Sequence, residues 1–504
     1  MKKHIFILVG LGILTCQNVS SQFVSQETAQ RVAENFFASL RQSNSHRTMI
    51  IHTFGRNDQP TMYAFSTPNG WVLVAGDRRF EPILAYSDGN NSFPADEEMP
   101  PVMLYMLEWY SAQINSLRNN DVHREYQPQW NVYMDDSLNI PSRNVIISPL
   151  LTRNGNENIW RGSGNNGSSP DIAKSYNKFC PAVSNTSQIC DHAVVGCVAI
   201  AMSQVMWYWK WPHAAIVSND IGNELLRLYN WDLMPYRLVN SSTIAEADMT
   251  ANLLHDVGVS VNMNYGCSNS LANPSLISYA LRNKFGYNAD NMKYRHNYTN
   301  SEWLNMLKNE LNSLRPVIYG GYTATSGHCF VIDGYDSNNM FHINNGDGNL
   351  STSYYTLDAI QYNINQDMFT NVYPNYPSCS PITIPSSDSW ATNFYIQNGG
   401  GINVGNRTIT SSMHGCILSG EYVKLTSGFK VNAGATVFID IKDMHCGSTR
   451  EEIANSFVDQ EPNFAPQRNN LPNNMPITRK ILRDGQLYIE REGKVYTITG
   501  QEVK

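Results

Sequence analysis

The stretch Gly196 to Trp209 (GCVAIAMSQVMWYW) has no charged residue and no polar face. Its residue types predict a helix that begins at or just before Cys197, stops before Pro212 and is apolar nearly all round. Such a helix is stable only when buried on every side, so a domain has to be built around it. The rest of the chain can supply one. Of 504 residues, 42% are hydrophobic and 16% charged, enough for packed cores and too little charge for a long coiled coil or a disordered chain. The formal net charge of −7 argues against a nucleic-acid binder, which needs a basic face.

The first residue of that helix is a cysteine. In the first helical turn the macrodipole favours a thiolate. The unpaired N–H groups of the same turn can hold an oxyanion, and Gly196 lets another chain approach closely. A thiolate nucleophile also needs a base that can protonate a leaving group, usually histidine. Of the 12 histidines, His328 is the candidate. It follows Gly327 and opens an apolar strand, Cys329-Phe330-Val331-Ile332. Phe341-His342-Ile343-Asn344 follows at hairpin spacing, so Asn344 is placed to hydrogen-bond and orient the imidazole. His342 reads as structural.

A helix-start Cys, a Gly-His strand about 130 residues later and an Asn on the next strand resemble the order in papain-like cysteine peptidases. The wording is similar to the streptopain-like branch. The matching pieces run from Pro149-Leu150-Leu151-Thr152 through Tyr176-Asn177-Lys178-Phe179-Cys180-Pro181, Val195-Gly196-Cys197-Val198-Ala199 and Tyr208-Trp209-Lys210-Trp211-Pro212. They continue through Val261 to Gly266, Lys284 to Tyr287, Arg315 to Tyr319 and Gly327 to Gly334. The resemblance implies an α+β papain-like fold, with a helical half carrying Cys and an antiparallel β half carrying His. It implies a secreted cysteine endopeptidase made as a zymogen, with Cys197 as nucleophile, His328 as general base and acid, and Asn344 orienting His328. No metal or organic cofactor is implied, and the substrates would be proteins or peptides.

Two departures bear on activity. The family usually carries Trp-x-Gln near the start of the mature domain, the Gln donating to the oxyanion. The corresponding region here is Trp160-Arg161-Gly162, and Asn165 or Asn166 is the available substitute. The family also covers its His–Asn pair with Trp-Gly-Trp-Gly, whereas this chain has Asn344-Asn345-Gly346-Asp347-Gly348. A water-exposed pair lacking one oxyanion donor predicts reduced activity. The competing expectation is a catalytically impaired papain-fold module that binds or inhibits peptides.

The remaining sequence divides around this block, 146–375. Residues 1–22 read as a signal peptide, from Lys2, Lys3, the apolar run Ile5 to Leu14 and the small residues Ser20 and Ser21. Cys16 offers a lipoprotein alternative in a poor context. Residues 23–145 read as a small α+β domain and a linker, with a helix over 26–40 and another over 101–117; the resemblance makes it the inhibitory propeptide. The linker around Arg143 is the expected activation site. Residues 376–446 read as an all-β stack, 447–478 as a linker and 479–504 as a strand pair. That tail (Val495-Tyr496-Thr497-Ile498-Thr499-Gly500-Gln501) resembles type IX secretion sorting signals, which implies secretion machinery as a partner. Beyond Cys16 the chain has eight cysteines and no C-x-x-C pair, so a zinc site has no support. Disulfide pairing is open.

Overall fold

The structure is a computed structural model. It describes residues 22–40, 49–56, 58–67, 70–87, 93–94, 99–120, 126–134, 145–153, 156–162, 172–347, 352–358, 360, 362–446, 478–483, 486–491, 494–497 and 502–503. The expected signal peptide, Arg143, Asn165, Asn166 and the linker 447–477 lie outside the described residues.

The N-terminal unit is a helix-backed antiparallel sheet. Helix α1 (Gln26–Ser39) starts where the Ser25 hydroxyl accepts from Thr28 N at 3.2 Å. Its apolar stripe buries Ala29, Val32, Ala33, Phe36 and Phe37. The strands beside it are β1 (Met49–Arg56), β2 (Gln59–Thr67), β3 (Gly70–Ala75) and β4 (Ile83–Ser87), paired in sequence order. Helix α2 (Pro101–Asn119) has proline at its first turn and ties to the sheet through Tyr110, whose hydroxyl donates to Leu84 O at 3.1 Å. A short helix, α3 (Gln129–Met134), closes this unit.

The sheet does not end at β4. After β5 (Val145–Ile147) the chain forms helix α4 (Cys197–Trp209), with α5 (Ile244–Ser260), α6 (Ile277–Asn283) and α7 (Asn300–Asn312) following. Thr243–Glu246 and Thr299–Glu302 capping boxes start α5 and α7. Five antiparallel strands come next: β6 (Val317–Tyr322), β7 (Gly327–Asp336), β8 (Phe341–Asn344), β9 (Ser353–Tyr355) and β10 (Ile364–Met368). The order across the sheet is β1-β2-β3-β4-β9-β8-β7-β6-β10, so one continuous sheet joins the N-terminal unit to the β half. Tyr354 pairs with Tyr86 across that seam, and their rings stack at 4.6 Å. The Tyr86 hydroxyl then donates to Asp336 Oδ2 at 2.9 Å.

Helix α4 lies against β6 and β7 with every residue after Cys197 buried, as its composition requires. The helical and β halves therefore meet on the helix that Cys197 opens.

The C-terminal all-β region is a stack of parallel strands. Ile382–Ile384, Ile402–Val404 and Val423–Leu425 pair in register, and so do Asn393–Asn398, His414–Ser419 and Thr436–Ile441. Each rung repeats after about 20 residues, and Ile402, Val404, Ile409, Ile417, Val431 and Val437 fill its interior. A disulfide, Cys379–Cys446, joins its two ends. The stack docks on the helical half: Asn393 Nδ2 donates to Glu224 O at 2.8 Å, and Trp211 meets Tyr376 edge-on at 5.1 Å. The terminal strand Thr478–Arg483 adds antiparallel to Thr436–Ile441, followed by the hairpin Gln486–Arg491 and Lys494–Thr497.

Candidate active site

The segment entering α4 is held from two sides. Val194 N donates to Gly266 O at 3.1 Å, and the Ser270 hydroxyl donates to Val194 O at 2.6 Å. The 264–271 loop that provides these partners is anchored by the Cys190–Cys267 disulfide. Asn177 Oδ1 accepts from Val195 N at 3.0 Å. Gly196 is the N-cap, and a Cβ there would lie 2.6 Å from Met263 Sδ and 2.7 Å from Ser270 O. Only glycine fits, so Cys197 is delivered to the first turn of α4 without a side-chain cap. The first-turn N–H groups have no acceptor within the helix.

His328 enters from β7, where it pairs with Gly321 of β6. Its imidazole and the Cys197 thiol hydrogen-bond to each other. The other imidazole contact decides the tautomer: Nε2 lies 2.9 Å from the main-chain carbonyl of Asn345. A carbonyl oxygen only accepts, so Nε2 carries the proton and Nδ1 is left for the thiol.

The electrostatics favour charge separation. Burial opposes ionisation of Cys197, but His328 and the N–H groups of Cys329 and Val198 hold its thiol below the ordinary value. Burial likewise disfavours the His328 cation, while the hydrogen bond and charge of Cys197, the Asp347 charge and the Asn345 carbonyl hold it above the ordinary imidazole value. Opposite shifts in two contacting groups are what a thiolate–imidazolium pair requires.

Asn344 is not on the imidazole. It pairs with Val331 and turns toward α4. Its Oδ1 accepts from Gln204 Nε2 at 3.0 Å and from Gly346 N at 3.1 Å. Its Nδ2 donates to Asn158 O at 2.6 Å and Glu157 Oε1 at 2.9 Å. The orienting contact expected of that side chain is made instead by the next residue's carbonyl. His342 is remote from this pair, buried, with Nδ1 2.6 Å from Asp333 Oδ1.

The two departures seen in the sequence have structural accounts. Arg161 bridges Asp347, so the 160–162 segment does pass beside the site. But a Cβ on Gly162 would lie 2.2 Å from Val195 O. The backbones are in contact there, and no side chain of any kind fits at 162. The imidazole is covered in part: the Tyr362 ring, itself buried, sits 4.9 Å from the His328 ring, while His328 keeps intermediate exposure. Tyr362 lies well beyond the expected Trp-Gly-Trp-Gly position and carries no motif that would have flagged it. Nor would sequence have singled out Gln204, Asn345 or a buried acid two strands from His328, Asp367.

Among the described residues no group of three or more His, Cys, Asp or Glu is arranged to hold a metal ion. No described helix is long and apolar enough to cross a membrane.

Residues 171–355 match the Peptidase C10 family, and residues 21–114 match the Spi protease inhibitor family. A thiol protease/hemagglutinin, PrtT, from Porphyromonas gingivalis is 27% identical over 386 residues, covering 71% of this chain. The chain spans only 41% of that relative's length. Streptopain from Streptococcus pyogenes is 28% identical over 347 residues, covering 64% of this chain and 80% of its own. Among solved structures, a Prevotella intermedia prointerpain A fragment aligns with a TM-score of 0.48 and 23% identity, covering 65% of this chain and 99% of that one.

Proposed function

We propose that this chain, with its streptopain-like Peptidase C10 match over 171–355 behind a Spi-inhibitor-like prodomain, is an exported cysteine endopeptidase made as a zymogen. The observation that carries the reading is the Cys197–His328 hydrogen bond, with the far imidazole nitrogen fixed on a main-chain carbonyl. The thiolate attacks a peptide carbonyl carbon, and the carbon–oxygen π pair moves onto oxygen. First-turn N–H groups of α4 stabilise that oxyanion. As the intermediate collapses, the carbon–nitrogen bond breaks and Nδ1 of the imidazolium protonates the leaving amine. Neutral His328 then takes a proton from water, whose oxygen attacks the thioester carbon and releases the Cys197 thiolate.

Iodoacetamide tests this at pH 6, where an ordinary thiol is almost entirely protonated. After removal of the prodomain, Cys197 should alkylate at least about tenfold faster than free cysteine. The Cys197→Ala chain should lose that label, and the intact zymogen should label more slowly. A Cys197 no faster than a free thiol would end the peptidase reading.

Export is read from the apolar start and the terminal strands. A chain lacking residues 479–504 should accumulate in the periplasm, as cell fractionation would show. Unchanged export would remove the sorting role of the tail.

A further inference from the structure

If the imidazole is oriented by a main-chain carbonyl, something must hold that carbonyl. Asn345 lies in the 344–347 turn after β8, and a turn supported only by solvent would let its carbonyl wander. This one is clamped to the nucleophile's own helix at two points. Gly346, at φ +68°, sits so close to α4 that a Cβ would lie 2.7 Å from Ile200 Cγ2. Gln204, one turn beyond Ile200 on the same face of α4, is fully buried and donates Nε2 to Asn344 Oδ1 at 3.0 Å. The second Gln204 N–H contact goes to Asn158 Oδ1 at 3.3 Å, and that oxygen also accepts from Trp160 N at 3.1 Å. Asn344 Oδ1 in turn accepts from Gly346 N, so the peptide that bears the Asn345 carbonyl has its following N–H tied to the Gln204 partner.

We propose that Gln204 is a positioning residue for the reaction, acting through Asn344 to fix the Asn345 carbonyl and hence the His328 tautomer and its alignment with Cys197. The nucleophile and the device that aims its base then stand on one rigid helix, and the register between the two halves of the fold is set at that helix. A second observation separates this from a role in stability alone. Gln204 Oε1 and Asn158 Nδ2 are buried with no hydrogen-bond partner among the described residues. A half-satisfied polar cluster is worse for stability than an apolar one of the same volume. Methionine would fill the Gln204 site without that penalty. What it could not do is donate to Asn344.

The proposal rests on the Cys197–His328 reading, and its test keeps the two apart. Gln204→Met and Asn344→Ala are each expected to lower kcat of the matured enzyme by about 10- to 100-fold, the scale of a small misalignment of reacting groups. KM should stay within about twofold, because neither side chain reaches substrate. Alkylation of Cys197 at pH 6 in the full-length chain should fall in parallel. The double variant should be no worse than the more damaged single variant, because both act through one carbonyl. Leu281→Ala, a buried change on α6 chosen to match the loss in melting temperature, should leave kcat and alkylation as they were. A folded Gln204→Met chain with wild-type kcat and alkylation, or single effects that multiply in the double variant, would overturn the proposal. Should Gln204→Met not fold, Gln204→Glu substitutes for it. Its carboxylic acid can donate to Asn344 only when protonated, so its alkylation rate relative to wild type should recover as pH falls; a ratio flat with pH is the overturning result. Nitrogen NMR of His328 reads the tautomer directly in the full-length chain, with or without activity. Read at a pH high enough to deprotonate the imidazolium, the neutral ring of wild type should show Nε2–H alone and that of Gln204→Met a mixture. A slow wild-type thiol with an intact tautomer would therefore count against the peptidase reading and leave the clamp standing.

Discussion

Cys197→Ser should lower kcat/KM for peptide hydrolysis by on the order of 10⁴-fold or more, with the fold intact. The substitution changes one atom, but the site is tuned to a thiol. The Val198 and Cys329 N–H groups and the His328 imidazole bring the sulfur's pKa below its ordinary value. A serine hydroxyl starts many units higher, and the same contacts cannot ionise it near neutrality. His328→Ala should fall to a similar floor, because it removes both the counter-charge and the proton donor for the leaving amine. Combining the two should cost little more than either alone, since thiolate and imidazolium form one unit. Progress curves with a fluorogenic peptide, alongside near-ultraviolet circular dichroism to check folding, measure this. A Cys197→Ser enzyme retaining a tenth of wild-type activity would place the nucleophile elsewhere.

How much of this site was legible depends on where each contact is written. The pairing of Cys197 with His328 is legible because both residues stand at positions with strong local signals. One opens an uninterrupted apolar helix, and the other follows a glycine at a strand start. Asn344 was misplaced because its position on the next strand does not say which way the amide turns. The β7–β8 register shifts between Ile332 and Gly334, and Asn344 ends up opposite Val331, facing Gln204. The true partner of Nε2 is a carbonyl, which every residue has and no motif marks. Gly162 was noticed as a missing donor, yet its cause, a backbone 2.2 Å from where a Cβ would stand, comes from a contact with Val195 more than thirty residues away. The same limit applies to the fold. The strands of the C-terminal region were recognisable one by one, while their parallel stacking depends on pairing between segments about 20 residues apart. The seam between β4 and β9 joins residues too far apart in sequence for local pattern to place side by side.

Asp367→Asn should leave stability nearly unchanged at pH 4 and stabilise the protein increasingly as pH rises to about 7. Asp367 lies on β10 opposite Gly320, itself opposite Cys329, in a row across the sheet that leads away from the His328 strand. It is only 1% exposed, and neither carboxylate oxygen has a hydrogen-bond partner among the described residues. Gly320 makes the room, since a Cβ there would lie 2.7 Å from Oδ1. Burial alone pushes the carboxyl from its ordinary value of 3.8 up to about 7. The sign follows from which state holds the proton. Between these two values the unfolded chain has released it and the folded chain keeps it, so stability is lost as pH rises through that window. One pKa unit corresponds to about 1.4 kcal/mol, so the loss above pH 7 amounts to roughly 4 kcal/mol at most. Asparagine has the same shape and cannot ionise, which removes this dependence. The difference between Asp367→Asn and wild type in urea midpoint of the catalytic unit should be small at pH 4, grow steadily to about pH 7, and then level off. Parallel curves for the two proteins across that range would mean that the folded protein gives the carboxylate a partner and that the acid is not forced to stay neutral. The buried acid would then be a paired structural charge, and Cys329, whose thiol is pushed up by its own burial and by the Cys197 and Asp367 charges, would have a permanent anion beside it throughout the working range of the enzyme.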